Sequence, residues 1–349
     1  MTDDIAQQTD PVPQRVTRRE WLHRTAGTTA AIAAGSGSLS VAETAAQPGS
    51  VRPAQIAITF DLEMSRNFPQ WEMTHWDYEK GNLNEETKQY AVEAARRVKA
   101  AGGVIHFFVV GRVFEQDDVG WLQQLAQDGH PVGNHTYDHV NVTATTPEQI
   151  QFRFQRAPWL LRGRTVDEVI AENIRLTTEA MRTRLGIEPA GFRTPGGFSD
   201  GLRDFPHVRN MLLEQGFSWV SSLYPRHPNS PAQQQPAVNV IQGIVDAVAD
   251  AQPFAYSDGL IEVPMSPISD IGAFRSGRWQ TDWFSDVLAR CLDWTIENSA
   301  VYDFLGHPSC LYVTDPEFQA IETICTAVRK AEDRAVLTDL SRIAAASVR

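Results

Sequence analysis

The sequence predicts an α/β fold built around a parallel β-sheet. Short apolar runs typical of buried strands alternate along the chain with segments whose apolar residues recur at helical spacing. The clearest strand is the continuous apolar run 104–110, of the kind that a parallel sheet buries on both faces. The clearest helix covers residues 166–185 and ends at Gly186. Repeated alternation of strand and helix favours a parallel barrel or sheet.

The same patterns assign the remaining elements in order. Helix 84–100, for example, has apolar residues near helical spacing and ends at Gly102 and Gly103. The predicted strands cover residues 55–60, 104–110, 131–133, 217–221, 260–264 and 301–305. The predicted helices cover residues 84–100, 121–127, 166–185, 208–215, 283–298 and 315–346.

Two regions interrupt the alternation. Segment 64–82 follows the first strand and contains Trp71, His75, Trp76 and Tyr78, so we expect it to cover the mouth of a pocket at that strand end. These aromatic side chains either stack on sugar faces or pack the loop onto the fold. Segment 226–258, rich in Pro, Gln and Ala, is an excursion between strands.

Polar residues of interest recur at the ends of predicted strands. Asp61 and Glu63 end the first strand, Arg193 opens a segment that leads into a glycine turn, and His307 follows the strand 301–305. In α/β barrels the carboxyl ends of the strands carry the chemistry. We therefore expect these side chains to converge.

His135 and His139, four positions apart in a loop, can bind one metal ion. Neutral imidazole nitrogens suit zinc, and one further carboxylate completes an open, catalytic site. Asp61 and Glu63 are the candidates for that carboxylate. Two histidines at this spacing are common, so the pair is informative only together with the other motifs.

Four motifs in this order, from about residue 55 to about residue 310, resemble the polysaccharide deacetylase superfamily, the NodB-homology or carbohydrate esterase 4 enzymes. The resemblance implies a distorted (β/α)7-type barrel. It also implies a hydrolase that removes acetyl groups from an N-acetylated or O-acetylated glycan, such as peptidoglycan or chito-oligosaccharide. The expected cofactor is a divalent metal ion, zinc first, with cobalt or another ion as alternatives.

The resemblance also implies a role for each residue. The metal ligands would be Glu63, His135 and His139. A metal-activated water would attack the acetyl group with Asp61 as the base, and Arg193 would keep that aspartate ionised and oriented. The backbone N–H of Gly196 would stabilise the oxyanion, and His307 would protonate the leaving amine.

The sequence departs from the family pattern at two points. The two acids are usually adjacent aspartates, whereas here Leu62 separates Asp61 from a glutamate, so Asp61 itself remains an alternative ligand. The aspartate that tunes the catalytic histidine in many members is missing near Trp219. Asp270 or Asp303 could replace it.

Four of the polar residues also have purely structural interpretations. His106, inside a predicted strand, is expected to be a core or supporting histidine, and the structural interpretation of Asp138 is that it only braces the histidine loop. Arg193 could form a purely structural ion pair, and His307 could be a core histidine.

Residues 1–46 are similar to a twin-arginine export signal. Arg18 and Arg19 precede a short, alanine-rich apolar stretch, and small residues allow cleavage after Ala46. We predict that this leader is removed, that residues 47–349 form one catalytic domain, and that the protein is periplasmic or extracellular. The alternative is a disordered, charged tail.

Composition and charge limit the classes of molecule that this protein is expected to bind. The net charge of −12 gives no electrostatic reason to bind nucleic acid or an anionic membrane surface. The apolar stretch of the leader is too short for a stable membrane span. Three cysteines, an odd number, imply no disulfide framework. The sequence does not determine the oligomeric state.

Two other functions remain open. The motifs also occur in the allantoinase-like branch of the superfamily, which would make the chain a metal-assisted hydrolase of a small cyclic amide or ureide. Alternatively, the altered acid motif could have lost the metal, leaving a glycan-binding pseudoenzyme.

Overall fold

A parallel-dominated sheet organises the fold in the computed structural model, which describes residues 52–74 and 79–347. The strands are β1 (Ala54–Leu62), β2 (Ile105–Val109), β3 (Val132–Asn134), β4 (Phe192–Phe198), β5 (Trp219–Leu223), β6 (Phe254–Ala255), β7 (Ile261–Glu262), β8 (Val301–Gly306) and β9 (Ala335–Thr338). Their order is β6-β7-β5-β4-β3-β2-β1-β8, with β9 also paired to β1. All these pairings are parallel except β6 with β7. The curled sheet with its helices matches the predicted distorted barrel.

Strand β1 lies at the centre of the hydrogen-bonding pattern. Residues 55–60 pair with β8 along one edge. On the other edge, residues 54–57 pair with β9 and residues 58–62 pair with β2. Every residue of β1 except Gln55 is buried. The strand is therefore held on both sides as far as Phe60, and Asp61 just beyond is paired with Phe108 of β2.

Helices connect most of the strands. They are α1 (Glu85–Ala100), α2 (Gly120–Gln127), α3 (Pro147–Ile150), α4 (Phe152–Arg156), α5 (Val166–Leu185), α6 (Pro206–Glu214), α7 (Val238–Asp246), α8 (Thr281–Glu297), α9 (Pro308–Thr314), α10 (Gln319–Ala331) and α11 (Leu340–Ser347), together with a π-helix at Ile271–Ser276. Helix α5 begins with a capping box between Thr165 and Glu168 and ends at Gly186, whose φ of 71° suits the left-handed cap.

The prediction of one helix over residues 315–346 is wrong. Helix α10 ends at Ala331, Glu332 has a φ of +55°, and the chain then forms β9 before α11 begins. Three of the four residues of β9 are buried, where they pair with β1. Asp339 accepts a hydrogen bond from the N–H of Arg342 and so stabilises the start of α11. Pairing with β1 therefore overrides the helical pattern of the sequence.

The excursion predicted at residues 226–258 contains α7 and the short strand β6. The largest apolar cluster packs β1 and β2 against α1, α8 and α10. Cys291, Cys310 and Cys325 are buried and unpaired.

In the part of the chain that the structure describes, no helix is long and apolar enough to cross a membrane. The predicted leader at residues 1–46 lies outside the described residues, as do His75, Trp76 and Tyr78.

Candidate active site and metal centre

A cavity of about 610 Å³ lies where the carboxyl ends of the central strands meet. Asp61 at the end of β1, His135 just after β3, and His307 just after β8 all line it. The sequence places these residues far apart, and the parallel sheet brings them to the same edge. Gly196, in β4, also borders the cavity.

Three side chains form a cluster suited to a metal ion. One ligand atom each from Glu63, His135 and His139 lies within 4.8 Å of the others. Nε2 of His139 is 2.8 Å from Oε2 of Glu63, and Nε2 of His135 is 3.8 Å from the same oxygen. The loop reaches this geometry because Thr136 and His139 adopt positive φ values of 58° and 57°. Two non-glycine residues in this region are uncommon and often mark functional sites.

The protonation of the cluster also fits a metal site. Burial lowers the pKa of His135 to about 4 and lowers that of His139, so both imidazoles are neutral near pH 7. Nδ1 of His135 lies 3.0 Å from the carbonyl oxygen of Arg193, which fixes the tautomer with Nε2 available as a ligand. Within the part of the chain that the structure describes, Oε2 of Glu63 is buried and accepts no well-aligned hydrogen bond. The donor set therefore fits zinc or a similar divalent ion.

Lys80 is the residue of this site that sequence analysis missed. Its buried ammonium group pairs with Oε1 of Glu63, leaving Oε2 to face the histidines. Burial by itself opposes ionisation of Glu63, but His139 and Lys80 lower its pKa well below the ordinary value. Lys80 lies inside the irregular segment 64–82, where no motif or periodicity distinguishes it from a surface lysine.

Arg193 is fully buried and connects two acidic residues. Its Nη1 lies 3.2 Å from Oδ1 of Asp61, and its Nη2 pairs closely with Oδ2 of Asp303. Thr59 accepts a hydrogen bond from Nη1 at 2.7 Å and donates one to Asp303 at 2.8 Å. The guanidinium also lies over the ring of Phe108 at 4.4 Å. This network fixes one oxygen of Asp61.

The other carboxylate oxygen of Asp61 faces the cavity. Oδ2 lies 3.7 Å from Nε2 of His135 and 3.8 Å from Nε2 of His307. One oxygen of this aspartate is thus held by Arg193 while the other stands between the metal cluster and His307. A group that takes a proton from water at the cluster needs this placement.

His307 is oriented by Asp270. Nδ1 of His307 donates to Oδ1 of Asp270 at 2.8 Å, and the backbone N–H of His307 donates to Oδ2 at 2.7 Å. Burial alone lowers the pKa of His307, but the charge and hydrogen bond of Asp270, with smaller contributions from Asp61 and Glu63, raise it overall. Of the two replacements considered from the sequence, the structure selects Asp270, because Asp303 is committed to Arg193.

Gly196 has an open environment. Its φ is +78°, and a Cβ atom built on it would meet nothing within 4 Å. Thr194 Oγ1 donates to the carbonyl oxygen of Gly196 at 2.8 Å, which fixes the peptide that follows. The glycine therefore leaves the cavity wall open where a side chain would otherwise stand.

Two other candidates lie outside the cavity lining. His106 is fully buried, its Nε2 lies 2.7 Å from the carbonyl oxygen of Ala190, and its ring stacks on Phe108. Asp138 pairs with Arg153 and its backbone N–H donates to Asn173. His106 is thus a core residue, and Asp138 braces the histidine loop.

The family model described as polysaccharide deacetylase matches residues 49–204. A solved structure from Mycobacterium smegmatis, assigned as a polysaccharide deacetylase, is 18% identical with a TM-score of 0.56, and the similarity covers 87% of this chain and 92% of that one. One from Pseudomonas aeruginosa, with the same assignment, is 12% identical with a TM-score of 0.56, covering 83% and 89%. The Puue allantoinase is 13% identical with a TM-score of 0.58, covering 85% and 91%. At these identities the solved structures establish the fold alone. No curated protein matches the chain.

Proposed function

Because this chain belongs to the polysaccharide deacetylase superfamily, we propose that it is a metal-dependent hydrolase that removes acetyl groups from an N-acetylated or O-acetylated glycan. The family supports a hydrolase of the deacetylase and amidohydrolase type. The observation that carries the finer proposal is the cluster of Glu63, His135 and His139 with Asp61 and His307 beside it.

Hydrolysis of an acetamide needs an activated water, a stabilised oxyanion and a proton for the departing amine. A divalent ion bound by Glu63, His135 and His139 would supply Lewis acidity and would lower the pKa of a water molecule. The remaining steps belong to the side chains around the cluster.

Asp61 is the proposed base. Its Oδ2 faces the cluster, while Arg193 holds its Oδ1 at 3.2 Å. This contact with the guanidinium holds the carboxylate in place and keeps its other oxygen directed at the cluster. Arg193 therefore acts as a positioning residue for Asp61, and it does not line the cavity.

His307 is the proposed acid. Asp270 holds Nδ1, so Nε2 presents its proton toward the cavity, 3.8 Å from Asp61. The raised pKa keeps a larger fraction of His307 protonated near neutral pH than an ordinary histidine would have. An imidazolium at this place can protonate the amine nitrogen as the C–N bond breaks.

Gly196 is the proposed oxyanion donor. Oxyanion stabilisation needs a backbone N–H aimed at the developing charge, and any residue can supply one. The exposed peptide at Gly196 borders the same cavity as Asp61 and His307. The absence of a side chain leaves room for an acetylated sugar beside this amide.

The test is acetate release from acetylated chito-oligosaccharides and from peptidoglycan fragments by the purified protein. Release that a chelator abolishes and that added zinc or cobalt restores supports the proposal. Turnover of a cyclic imide or ureide without acetate release would instead assign the chain to the amide-hydrolysing alternative. Glycan binding by a protein that takes up no metal would make it a pseudoenzyme.

We also propose export by the twin-arginine-type signal at residues 1–46. A fusion of this segment to a reporter that functions only after export tests it, with Arg18→Lys and Arg19→Lys together as the inactivating change. Reporter activity that survives this double substitution contradicts a twin-arginine route.

A further inference from the structure

The charged residues that line the cavity are distributed unequally. The acidic ones are Asp61 and Glu63, whereas the basic ones include Arg66, Lys80 and Arg275. This excess of positive charge stands in a chain whose net charge is −12. The lining therefore carries one more basic than acidic side chain, although the chain as a whole is acidic.

Each carboxylate near the catalytic groups already has a cationic or hydrogen-bonding partner. Asp61 pairs with Arg193, Glu63 pairs with Lys80, and Asp270 holds His307. A metal ion bound at Glu63 would add further positive charge. Among the residues that the structure describes, these three carboxylates are therefore already engaged by other groups.

Arg275 is such an additional cation. It lies on the π-helix Ile271–Ser276, is partly buried and lines the cavity. Among residues 52–74 and 79–347, no hydrogen bond or ion pair within 4.0 Å joins its guanidinium to another side chain. Burial lowers its pKa overall, although the charges of Glu63 and Asp270 act in the opposite direction. A partly desolvated guanidinium without a partner is costly unless a ligand supplies the anion.

The cavity mouth adds a flat apolar surface beside these cations. Trp71 lines the cavity with 42% of its surface exposed, and Arg278 lies over its ring at 4.0 Å. Arg278 follows the π-helix that carries Arg275, so its contact with Trp71 brings that helix beside the loop of Trp71 and Arg66. A sugar ring can stack on Trp71 while an anionic substituent reaches Arg275.

We propose that Arg275, assisted by Arg66, forms an anion subsite and that the acetylated substrate carries a carboxylate beside its acetamide. The planar fork of an arginine matches a carboxylate with two parallel hydrogen bonds. This inference rests on the proposed deacetylase function and specifies its substrate class as an acidic amino sugar. Neutral chito-oligosaccharides are then the poorer substrates.

Calorimetric titration with two deacetylated sugars tests the subsite without turnover. Muramic acid and glucosamine differ by one lactyl carboxylate. The full-length, metal-loaded protein should bind muramic acid at least about tenfold more tightly than glucosamine. A difference of this size corresponds to one charge-assisted hydrogen bond. Arg275→Gln should bring this ratio close to one, and Arg275→Lys should give an intermediate value.

The matched control is Arg290→Gln, on the exposed side of α8, which should leave the ratio unchanged. Equal binding of the two sugars by the unsubstituted protein, or an unchanged ratio in Arg275→Gln with a native circular dichroism spectrum, overturns the subsite. Acetate release from a neutral chito-oligosaccharide reports on the deacetylase function separately.

A third ligand, N-acetylglutamate, distinguishes the source of the carboxylate. If the substrate is an acidic amino sugar, N-acetylglutamate binds more weakly than N-acetylmuramic acid and releases no acetate. Tighter binding and hydrolysis of N-acetylglutamate, lost in Arg275→Gln, would keep the anion subsite but contradict the sugar assignment.

Discussion

Asp270 holds His307 at two points, accepting from the ring Nδ1 at 2.8 Å and from the backbone N–H at 2.7 Å. The two residues are 37 positions apart, and Asp270 precedes the π-helix that carries Arg275. One carboxylate therefore fixes the tautomer, the orientation and the protonation of the proposed acid. The same short segment orients the proposed acid through Asp270 and lines the cavity through Arg275.

Replacement of Asp270 should shift the pH dependence. In Asp270→Asn the raised pKa of His307 should fall, because the main charge that raises it is removed. The proposed acid is active when protonated, so the alkaline limb of the kcat profile should move to lower pH. Asp286→Asn, on the surface of α8, is the control. An alkaline limb that does not move in Asp270→Asn would mean that another group supplies the proton.

Metal binding and proton donation should separate by substitution. His135→Ala should lose the metal, because it removes one of three ligands. His307→Ala should retain the metal but lose turnover by about a hundredfold or more, the usual contribution of a general acid. Metal content by elemental analysis, beside acetate release, distinguishes the two. Equal metal loss in both variants would contradict the assigned roles.

The buried Arg193 network should contribute strongly to stability. Arg193→Met leaves Asp61 and Asp303 buried without their cation, which should cost about 3–5 kcal/mol in the free energy of unfolding. The exposed pair of Arg226 and Asp200 provides the control, because Arg226→Met should change the free energy of unfolding by less than about 1 kcal/mol. Urea denaturation measures both. Similar small losses in both variants would show that the network is not important for folding.

His106 should make the protein sensitive to acid. Burial lowers its pKa to about 3 in the folded state, from 6.5 as the ordinary value. The unfolded chain therefore binds a proton more readily, and this contribution to stability is complete above pH 6.5 and is lost as pH falls toward 3. In His106→Asn the midpoint of urea denaturation should therefore fall less steeply as the pH is lowered from 6.5 toward 3. The exposed His207→Asn should follow the parent protein, and a parallel curve for His106→Asn would exclude this mechanism.

The motifs that sequence analysis identified share a physical property. Asp61 and Glu63, His135, and His307 each lie directly at or after the end of an apolar strand, so the local pattern indicates their position on the sheet edge. Parallel strands then bring these ends together without further information. This explains why the candidate metal cluster was predictable from residues that are far apart in the chain.

Lys80 and Arg275 lacked any such signal, and Asp270 was only one of two candidates for the partner of His307. Each lies in irregular chain or in a short π-helix, where neither strand alternation nor helical spacing marks a residue. Their importance arises from contacts between distant segments, such as Lys80 with Glu63. The break in the predicted helix 315–346 has a similar origin, because β9 forms by pairing with the start of β1.

Lys80 also defines the main alternative to a metal enzyme. Its ammonium group pairs with Glu63, one of the proposed ligands, and could neutralise that carboxylate without a metal ion. If so, Lys80→Met would acquire metal that the parent protein does not bind. If Glu63 binds the ion through Oε2, the parent protein itself takes up metal and Lys80 only orients the carboxylate.

Metal stoichiometry of the reconstituted full-length protein tests the central claim most directly. Elemental analysis after incubation with zinc or cobalt and removal of free ions should give one ion per chain, and acetate release should disappear with a chelator and return with added metal. A correctly folded protein that binds neither ion at Glu63, His135 and His139 would contradict the account.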